Sequence, residues 1–450
     1  MAQNRPERTR TASAETGTRA GTPTEGAPMA DMSVITCDLE GRIETFNEGA
    51  SRIFGYAPDE VIGRKRVSLF SPGLTVLEHV PTWLALAVKH GEFESKTVFV
   101  RKDGTRFPAQ IKITPTFRKG EQIGYCGVTH PLPPEAMAEA TPPIALATRI
   151  FAGLVITRAP FLTASLIPVL IATAFASGIG EAWSWVDFGA AFLGTALLHL
   201  AANTFNDYFD WTSGTDQGNN DYFLPFSGGS RSIELGLITE RGLWWLAWAL
   251  LAGATACGGW LAWERGWPIL GYGVAGALGG FFYTAPPLRL VARRGLGELL
   301  IGVCFGPIIT GGTYTALTGN ITVESLLIGI PTGLLTTAIL WINEFPDAES
   351  DARTGKNHLV VTLGKATARW GYLGLLVGAF AILLALVAAG IAPAAGAVAV
   401  LAAPFAWQAT RTLFREYETR SLVKGNQGTI ILQATFGILM AVGMGASTLW

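Results

Sequence analysis

Charged residues are scarce in this 450-residue sequence: Asp, Glu, Lys and Arg make up 15% of it, while apolar residues make up 49%. A soluble globular domain has about 25% charged residues, so much of this chain is expected to lie in a membrane. The scarcity is uneven, because charged side chains are frequent up to about residue 130 and then occur only in short clusters between long apolar runs. The sequence therefore indicates a soluble N-terminal part and a membrane-embedded remainder.

The sequence also lacks a surplus of positive charge and has few cysteines. Its net charge is -1, whereas a protein that binds a phosphate backbone presents clustered surplus Lys and Arg, so no nucleic acid partner is expected. The cysteines show no C-x-x-C spacing, and two of them stand in apolar segments, where a free Cys behaves as a small apolar residue. Neither a disulfide framework nor a zinc site is predicted. The cysteines are Cys37, Cys126, Cys257 and Cys304.

An apolar segment is missing from the start of the chain. Residues 1–30 are rich in Thr, Ala, Gly, Pro, Glu and Arg and contain almost nothing that a core would bury, so they are predicted to form a disordered tail. A secretory signal needs an apolar stretch near the N-terminus, and none precedes the charged part of the chain. We therefore expect this N-terminal part to stay in the cytoplasm.

Apolar and polar residues alternate after the tail. Two pairs of such segments flank an Asp-Leu-Glu-Gly turn and an Asp-Gly turn, and each pair predicts a β-hairpin. With brief amphipathic helices between the hairpins and one further strand, this pattern predicts a small α+β domain. The predicted strands are 34–37, 43–46, 97–100, 107–113 and 122–128, and the predicted helices are 50–56 and 58–62.

Four short motifs occur in order within this domain: IETFNEGA at 43–50, FGY at 54–56, EVIG at 60–63 and RKDGT at 101–105. Together they resemble the running motifs of a PAS domain, and the resemblance spans residues 31–130. PAS domains bind small ligands or cofactors or mediate dimerisation. The resemblance therefore implies a sensor and leaves open a dimer formed through this domain.

The ligand of the PAS-like domain stays open. The flavin-attachment Cys motif of the light-sensing subgroup is absent from the sequence, and a lone His is more often a surface or packing residue than a haem ligand. His79, His90 and His130 are the histidines of this region. Residues 131–144, which are rich in Pro, Glu and Ala, are predicted to be a linker.

Nine apolar segments follow the linker, and most approach the ~20 residues that a helix needs to cross ~30 Å of hydrocarbon. The loops after the even-numbered segments hold thirteen Lys and Arg, whereas the loops after the odd-numbered ones hold only Arg265. Positive loops stay inside, which predicts a multi-pass inner-membrane protein whose N-terminus and PAS-like domain are cytoplasmic. The segments are 147–176, 185–204, 243–263, 267–284, 296–317, 324–343, 370–389, 392–409 and 429–449.

Acidic residues gather where the second and sixth segments end. Asn206, Asp207 and Asp210 share one helix face and Asp347 and Asp351 share another, because positions three and four apart are neighbours on a helix. Carboxylates beside lipid are costly unless something compensates them. Mg²⁺ takes oxygen ligands and bridges carboxylates to phosphates, so two facing clusters predict a diphosphate held through metal. The alternative is that each acid is an ordinary solvated loop residue.

Further motifs accompany these clusters. The sequence contains N-D-Y-F-D-x-x-x-G-x-D at 206–216, D-x-x-x-D at 347–351, RAPFLTAS at 158–165, YTAPPLR at 283–289 and RGLGE at 294–298. They resemble, at the expected helix ends, the two aspartate motifs, the first helix and the fourth-loop signature of the UbiA prenyltransferase superfamily. The resemblance covers residues 145–450, and that family has nine transmembrane helices.

The resemblance implies magnesium-dependent transfer of a prenyl group from a polyprenyl diphosphate to an aromatic acceptor within the lipid bilayer. The catalytic, Mg²⁺-binding residues would be Asp207, Asp210, Asp347 and Asp351. The metal would stabilise the departing diphosphate, and the allylic cation left behind would alkylate an electron-rich ring. The alternative role for Arg289, Arg353 and Lys356, equally supported by the sequence, is to set the membrane topology as positive charges of inner loops. The implied substrate-binding residues are Asn206, Asp216, Tyr283, Arg289, Asn343, Arg353 and Lys356.

The sequence leaves the identity of the prenyl acceptor open. The spacing from Asn206 to Asp216 and the PFSGGSR stretch at 225–231 resemble the dihydroxynaphthoate prenyltransferases of menaquinone synthesis, with hydroxybenzoate or a glycerol-phosphate lipid as alternatives. Glu344 departs from the more usual Asn or Asp, and the PAS fusion is a second departure. A non-catalytic PAS-gated receptor or transporter would place its polar residues near mid-bilayer. Here the acids stand at helix ends predicted to be cytoplasmic.

Overall fold

The structure has a five-stranded sheet domain and a helical domain that follows it in the chain. It is a computed structural model and describes residues 32–215 and 229–447. The predicted disordered tail, residues 1–30, lies outside the described residues. The sheet domain occupies the region that resembles a PAS domain.

Neighbouring strands of the sheet are antiparallel, in the order β2-β1-β5-β4-β3. Both predicted hairpins are confirmed, since Ile35 pairs with Phe46 and Thr97 pairs with Ala109. The predicted last strand is β5, which lies in the centre of the sheet between β1 and β4. The strands are β1 Ser33–Asp38, β2 Ile43–Phe46, β3 Phe93–Val100, β4 Arg106–Arg118 and β5 Glu121–Pro131.

Short helices connect β2 to β3. Asn47 begins the first of them, because its Oδ1 accepts hydrogen bonds from the backbone N of Ala50 at 2.8 Å and of Val34 at 3.0 Å. Aromatic rings fill the core below, with Phe54 only 4.3 Å from Phe70 between ring centroids. The helices are α1 Glu48–Phe54, α2 Pro58–Val61, α3 Gly73–Glu78 and α4 Val80–His90, with a 3-10 turn at Val67–Phe70.

Helices make up the remainder of the described chain, and the predicted linker itself contains a short one. The helices are α5 Met137–Ala140, α6 Leu146–Ile156, α7 Thr163–Gly178, α8 Trp185–Thr212, α9 Glu240–Arg265, α10 Pro268–Thr284, α11 Leu296–Val303, α12 Ile309–Thr318, α13 Val323–Leu327, α14 Ile330–Arg353, α15 Leu359–Leu363, α16 Lys365–Ala388, α17 Ala403–Glu416 and α18 Val423–Ala446. The turns between them are of 3-10 type at Pro134–Ala136, Ala159–Leu162, Leu290–Ala292, Ala394–Ala402 and Arg420–Leu422, and of π type at Cys304–Ile308.

The predicted count of nine transmembrane helices is not confirmed. Within residues 32–215 and 229–447, seven helices are long and apolar enough to cross a membrane. The predicted segment 267–284 forms only the 17-residue α10. The segment 392–409 is a 3-10 turn up to Ala402 and becomes α-helical near Pro404, which lacks the N–H that a continuous helix would need. The seven are Ala159–Gly178, Trp185–Thr212, Glu240–Arg265, Leu296–Thr318, Val323–Arg353, Lys365–Ala388 and Arg420–Ala446.

The first predicted segment, 147–176, is broken into α6 and α7. Arg158 has a left-handed backbone (φ 53°), and Pro160 begins the turn that follows it. A helix cannot continue through that conformation, so the chain changes direction between the two helices. The break places Arg158 at the acidic end of α8, where Asn203 Nδ2 also donates to the carbonyl of Thr157 at 3.3 Å.

Glycines allow α14 to cross closely over the π turn. A methyl group on Gly306 would lie 2.5 Å from the carbonyl oxygen of Gly329, and one on Gly333 would lie 2.2 Å from the carbonyl oxygen of Gly302. No other residue fits at these contacts without moving a backbone, as at other close helix crossings in membranes. This crossing fixes the position of α14, which carries the second acidic cluster.

The sheet domain lies against the end of the helical domain at which α8 finishes. Lys65 Nζ is 3.6 Å from Glu234 Oε1, in the segment after α8, and Glu40 forms an ion pair with Arg420 just before α18. A methyl group on Gly73 would lie 2.2 Å from the carbonyl oxygen of Leu235. The two domains are therefore in close contact beside the acidic clusters.

Candidate active site

The end of α8 carries the first acidic cluster. Asp207 and Asp210 are only 4% and 7% exposed. The backbone N of Ser230 lies 3.4 and 3.3 Å from the two carboxylate oxygens of Asp207, to which it donates, and Arg158 Nη1 is 3.7 Å from Asp207 Oδ1. Asp207 is thus held by the segment after α8 on one side and by the break before α7 on the other.

The end of α14 carries the second acidic cluster. His358 is buried, with Nε2 3.2 Å from Asp351 Oδ2 and Nδ1 3.4 Å from Glu344 Oε2. Next to Glu344 in the chain, Asn343 Oδ1 accepts a hydrogen bond of 2.6 Å from Asn426 Nδ2. These contacts fix the polar face of α14 against the loop after it and against α18.

Lys356 joins the two clusters. Its Nζ donates to Asp210 at 2.9 Å, and its backbone N donates to the carbonyl of Asp351, also at 2.9 Å. The side chain is 7% exposed, so this ion pair is shielded from water. A buried carboxylate is stable when it is paired in this way.

A cavity of about 220 Å³ lies between the clusters. Its lining combines carboxylate, amide, phenol and ammonium groups with apolar residues from the neighbouring helices. The structure thus brings together most of the residues that the sequence singled out. Those that line the cavity are Asn206, Asp210, Tyr283, Asn343, Asp347, Asp351 and Lys356.

Three of the predicted site residues do not line the cavity in the described part of the chain. Asp207 is buried beside the cavity under Ser230 and does not line it in the described part of the chain. Arg289 and Arg353, predicted to clamp phosphate, also do not line it in residues 32–215 and 229–447, and Arg353 is exposed. Asp216 lies outside the described residues.

Arg158 and His358 are two of the cavity residues that the sequence did not predict as site residues. Arg158 lines the cavity beside Asp207, and the Arg-Ala-Pro sequence at the helix break was the available signal for it. His358 lines the cavity and contacts Asp351, seven positions away in the chain. No local pattern predicts that contact, because it depends on the turn that follows α14.

A second cavity of about 250 Å³ adjoins the first and is lined mainly by apolar and small residues of α8, α9, α10 and α12. Phe305 and His199 line both cavities, so the two spaces meet at these side chains. A polar chamber that opens onto an apolar one can hold a molecule with a charged head and a long hydrocarbon tail.

The polar cavity fits a hard divalent cation that arrives with a phosphate. No group of three or more His, Cys, Asp or Glu side chains forms a ready metal site within the described ranges. Mg²⁺, however, is usually held by one or two carboxylates together with substrate phosphates. Asp210, Asp347 and Asp351 offer such oxygens, and the buried Glu344 Oε2 has only the 3.4 Å contact with His358 Nδ1.

The sequence matches two family models. The model of the UbiA prenyltransferase family matches residues 165–428, and a PAS domain model matches residues 31–130. The first match covers more than half of the chain.

Two relatives are 1,4-dihydroxy-2-naphthoate octaprenyltransferases. The one from Bacillus subtilis is 27% identical over 297 residues, which is 64% of this chain and 90% of that protein. The one from Escherichia coli is 30% identical over 271 residues, which is 56% of this chain and 85% of that protein. Among solved structures, a UbiA homolog from Aeropyrum pernix in its apo form matches with a TM-score of 0.51 at 18% identity, covering 63% of this chain and 98% of that chain. This last likeness concerns the fold alone.

Proposed function

Because this chain belongs to the UbiA prenyltransferase family and carries a PAS domain, we propose that it prenylates a dihydroxynaphthoate-like acceptor under the control of that domain. The donor is a polyprenyl diphosphate, and the product belongs to the synthesis of menaquinone or a related quinone. The names of the relatives from Bacillus subtilis and Escherichia coli support this choice of acceptor. Family membership also favours an enzyme over the receptor or transporter considered from the sequence.

One observation carries the proposal: two acidic clusters face a polar cavity that opens onto an apolar one. A prenyl diphosphate has a charged head and an apolar tail, so its two parts match the two spaces. In the polar cavity, Lys356 and Arg158 supply positive charge, while Asp210, Asp347 and Asp351 supply more negative charge than these two can balance. The surplus is what a cation bound with the diphosphate would neutralise.

Different residues of the polar cavity contact the donor and orient it. Arg158 and Lys356 contact the diphosphate oxygens, while Asn206 and Asn343 orient it through their amides. Asp210, Asp347 and Asp351 would hold Mg²⁺, which would neutralise the charge that develops on the departing diphosphate. Tyr283 lies on the same wall and is placed to contact the diphosphate or the reacting carbon.

The apolar cavity serves the hydrocarbon end of the donor. Its small residues, such as Gly273 and Gly276 on α10, leave room along the helices for an isoprenoid tail. Because the lining excludes water, it also protects a reactive allylic carbon from hydrolysis before the acceptor is alkylated.

An acceptor panel tests this function. Purified protein is incubated with Mg²⁺, a labelled polyprenyl diphosphate and one of three acceptors: 1,4-dihydroxy-2-naphthoate, 4-hydroxybenzoate or a glycerol-phosphate lipid. We expect labelled product with the naphthoate and its loss when EDTA removes the metal. Product with only the benzoate or the lipid would move the assignment to that acceptor, and product without divalent metal would contradict the magnesium-dependent mechanism.

Regulation by the PAS domain is supported by two connections that end at Asp207. The first runs through the segment after α8, where Lys65 pairs with Glu234, and Glu234 pairs with Arg231 at 2.9 Å. Ser230, which precedes Arg231, donates its backbone N–H to Asp207. Movement of the PAS domain against this segment would therefore change the hydrogen bond that Ser230 donates to Asp207.

The second connection runs through α6. Glu78 Oε2 of the PAS domain accepts a hydrogen bond of 3.0 Å from the backbone N of Ala145, which precedes α6, and so a PAS side chain caps this helix. His79 Nε2 lies 3.0 Å from the carbonyl oxygen of Pro143 in the same segment. At its other end α6 leads to Arg158, which contacts Asp207.

The positive charges of the loops support the proposed cell compartment and orientation. The thirteen Lys and Arg of the even loops favour a cytoplasmic position for the acidic helix ends, and the PAS domain contacts that same end of the helical domain. For a bacterium we therefore propose an inner-membrane enzyme with its PAS domain in the cytoplasm.

A further inference from the structure

A buried serine and histidine form a pair inside the helical domain that the binding of diphosphate does not use. Ser165 Oγ, on α7, lies 2.6 Å from Nδ1 of His199, on α8. The two residues are 1% and 7% exposed. The edge of the His199 ring also meets Phe305, with the ring centroids 5.1 Å apart. These contacts hold the imidazole plane in one orientation.

His199 stands where the two cavities meet. It lines the polar cavity together with Asn203 and Asn206 and lines the apolar cavity together with Thr195. The head of a bound prenyl diphosphate would lie on one side of the ring and its tail on the other. The reacting carbon joins head and tail, so His199 borders the place at which that carbon must meet the acceptor.

We propose that Nε2 of His199 accepts the proton of a ring hydroxyl on the acceptor during prenyl transfer. The inference rests on the proposed function, because it requires a hydroxylated aromatic acceptor at this junction. Nδ1 is engaged with Ser165, and Nε2 has no hydrogen-bond partner among the described residues. An imidazole whose Nδ1–H donates to Ser165 presents a lone pair on Nε2, and a positioned base of this kind suits proton removal from a phenol.

In this step the bond between the allylic carbon and the diphosphate oxygen breaks, and its electron pair leaves with the diphosphate. A ring carbon of the acceptor then bonds to the allylic carbon while the hydroxyl proton passes to Nε2 and the hydroxyl becomes a carbonyl. The hydrogen on the alkylated ring carbon moves as a proton to that carbonyl oxygen, which restores the aromatic ring. Ser165 acts as a positioning residue, because its hydrogen bond with Nδ1 holds the plane of the His199 ring.

The test compares His199→Gln, Ser165→Ala and the control Thr173→Val in the full-length protein. Thr173 lies on α7, as Ser165 does, is buried, and lines neither cavity among the described residues. Each variant is assayed for prenyl transfer to 1,4-dihydroxy-2-naphthoate and to its two monomethyl ethers, and for binding of a prenyl thiodiphosphate with Mg²⁺. We expect His199→Gln to lower kcat about 10²-fold, Ser165→Ala to lower it less, and both to bind the thiodiphosphate normally.

The ethers supply a readout that a structural role would not change. Wild-type protein should prefer the acceptor whose relevant hydroxyl is free, and His199→Gln should lose most of that preference, while Thr173→Val should behave as wild type. A His199→Gln protein with full transfer and intact preference, or one that no longer binds the thiodiphosphate, would overturn the role of His199 and leave the proposed function standing. If His199→Gln fails to fold, an unchanged preference in Ser165→Ala overturns it instead. Absence of transfer by wild-type protein would overturn the proposed function itself.

Discussion

Lys356 Nζ lies 2.9 Å from Oδ2 of Asp210, across 146 positions of sequence. Both side chains are about nine-tenths buried, and the pair joins the loop after α14 to the end of α8. Asp210 therefore has a protein cation as its partner before any metal or diphosphate binds. Binding of a cation and a diphosphate would allow Lys356 to exchange this carboxylate for a phosphate oxygen.

Replacing Lys356 by Met should destabilise the protein and remove activity. Loss of one partner leaves the other charge buried and unpaired, which costs about 3–5 kcal/mol in other proteins. Thermal unfolding in detergent should show a lower Tm, and prenyl transfer should fall with weaker donor binding. The double variant Lys356→Met/Asp210→Asn should recover most of the stability and none of the activity. Equal Tm values for the single variant and wild type would contradict a structural role for the pair.

Turnover should require both acidic clusters. Asp347→Asn removes a carboxylate from the cavity, and Asp207→Asn weakens the contact with Arg158; each should lower kcat about 10²-fold or more with the fold intact. Glu349→Gln is the matched control, because Glu349 is exposed on the same helix as Asp347. Rates are measured under saturating Mg²⁺. Turnover near the control value in either variant would rule out the two-cluster arrangement.

The features that could be predicted from the sequence are those determined by residues close together in the chain. Alternation of side chains over four to eight residues gave both hairpins of the sheet, and spacing on a helix placed Asn206 and Asp210 on the cavity side of α8. The same spacing grouped Asp207 with them, yet the structure turns it toward Ser230. That contact depends on where the chain returns after α8.

Long-range placement could not be predicted in the same way. Hydropathy alone does not register the left-handed backbone of Arg158, so the run 147–176 looked like one helix. Arg289 and Arg353 belong to the right motifs, but their side chains do not line the cavity in the described chain. Lys356 is the cation that reaches Asp210, and it lies in the turn after α14. The geometry of this turn depends on the buried His358 beside Lys356.

Labelling in intact cells should show that the acidic helix ends face the cytoplasm. In a background without the four native cysteines, Asn357→Cys should resist an impermeant thiol reagent until the membrane is permeabilised, because it lies in a positively charged even loop. Asn320→Cys, between α12 and α13, should react in sealed cells. Both positions are exposed, so burial does not confuse the readout. Reaction of Asn357→Cys in sealed cells would reverse the orientation.

Catalysis should be separable from the PAS domain. The described residues that line the polar cavity begin at Arg158, so the sheet domain contributes none of them. A chain that starts at Pro143 should insert into membranes and transfer prenyl groups at an altered rate, since it lacks both connections to Asp207. Rates are compared at equal amounts of inserted protein. A truncated protein that inserts and binds prenyl diphosphate but never turns over would mean that the PAS domain completes the active site.

Gly73→Ala tests whether the contact between α3 and the segment after α8 transmits the effect, without removing any contact inside the helical domain. The added methyl would lie 2.2 Å from the carbonyl oxygen of Leu235 and 2.7 Å from Leu237 Cδ2, so α3 and the segment after α8 must move apart. Because the same segment presents Ser230 to Asp207, turnover should change in the same direction as in the truncated chain. Binding of the donor should change less than kcat, since Asp207 does not line the cavity in the described residues.

Gly127→Ala is the control for this variant. Gly127 also lies in the sheet domain, but a methyl group there would meet Ile111 Cδ1 at 3.6 Å, an ordinary contact that leaves the docking surface unchanged. Both variants should keep the sheet domain folded, as judged by equal resistance to limited proteolysis. If truncation alters the rate while Gly73→Ala and Gly127→Ala behave alike, the segment after α8 does not transmit the signal. Control by the PAS domain would then have to pass through Glu78 and α6.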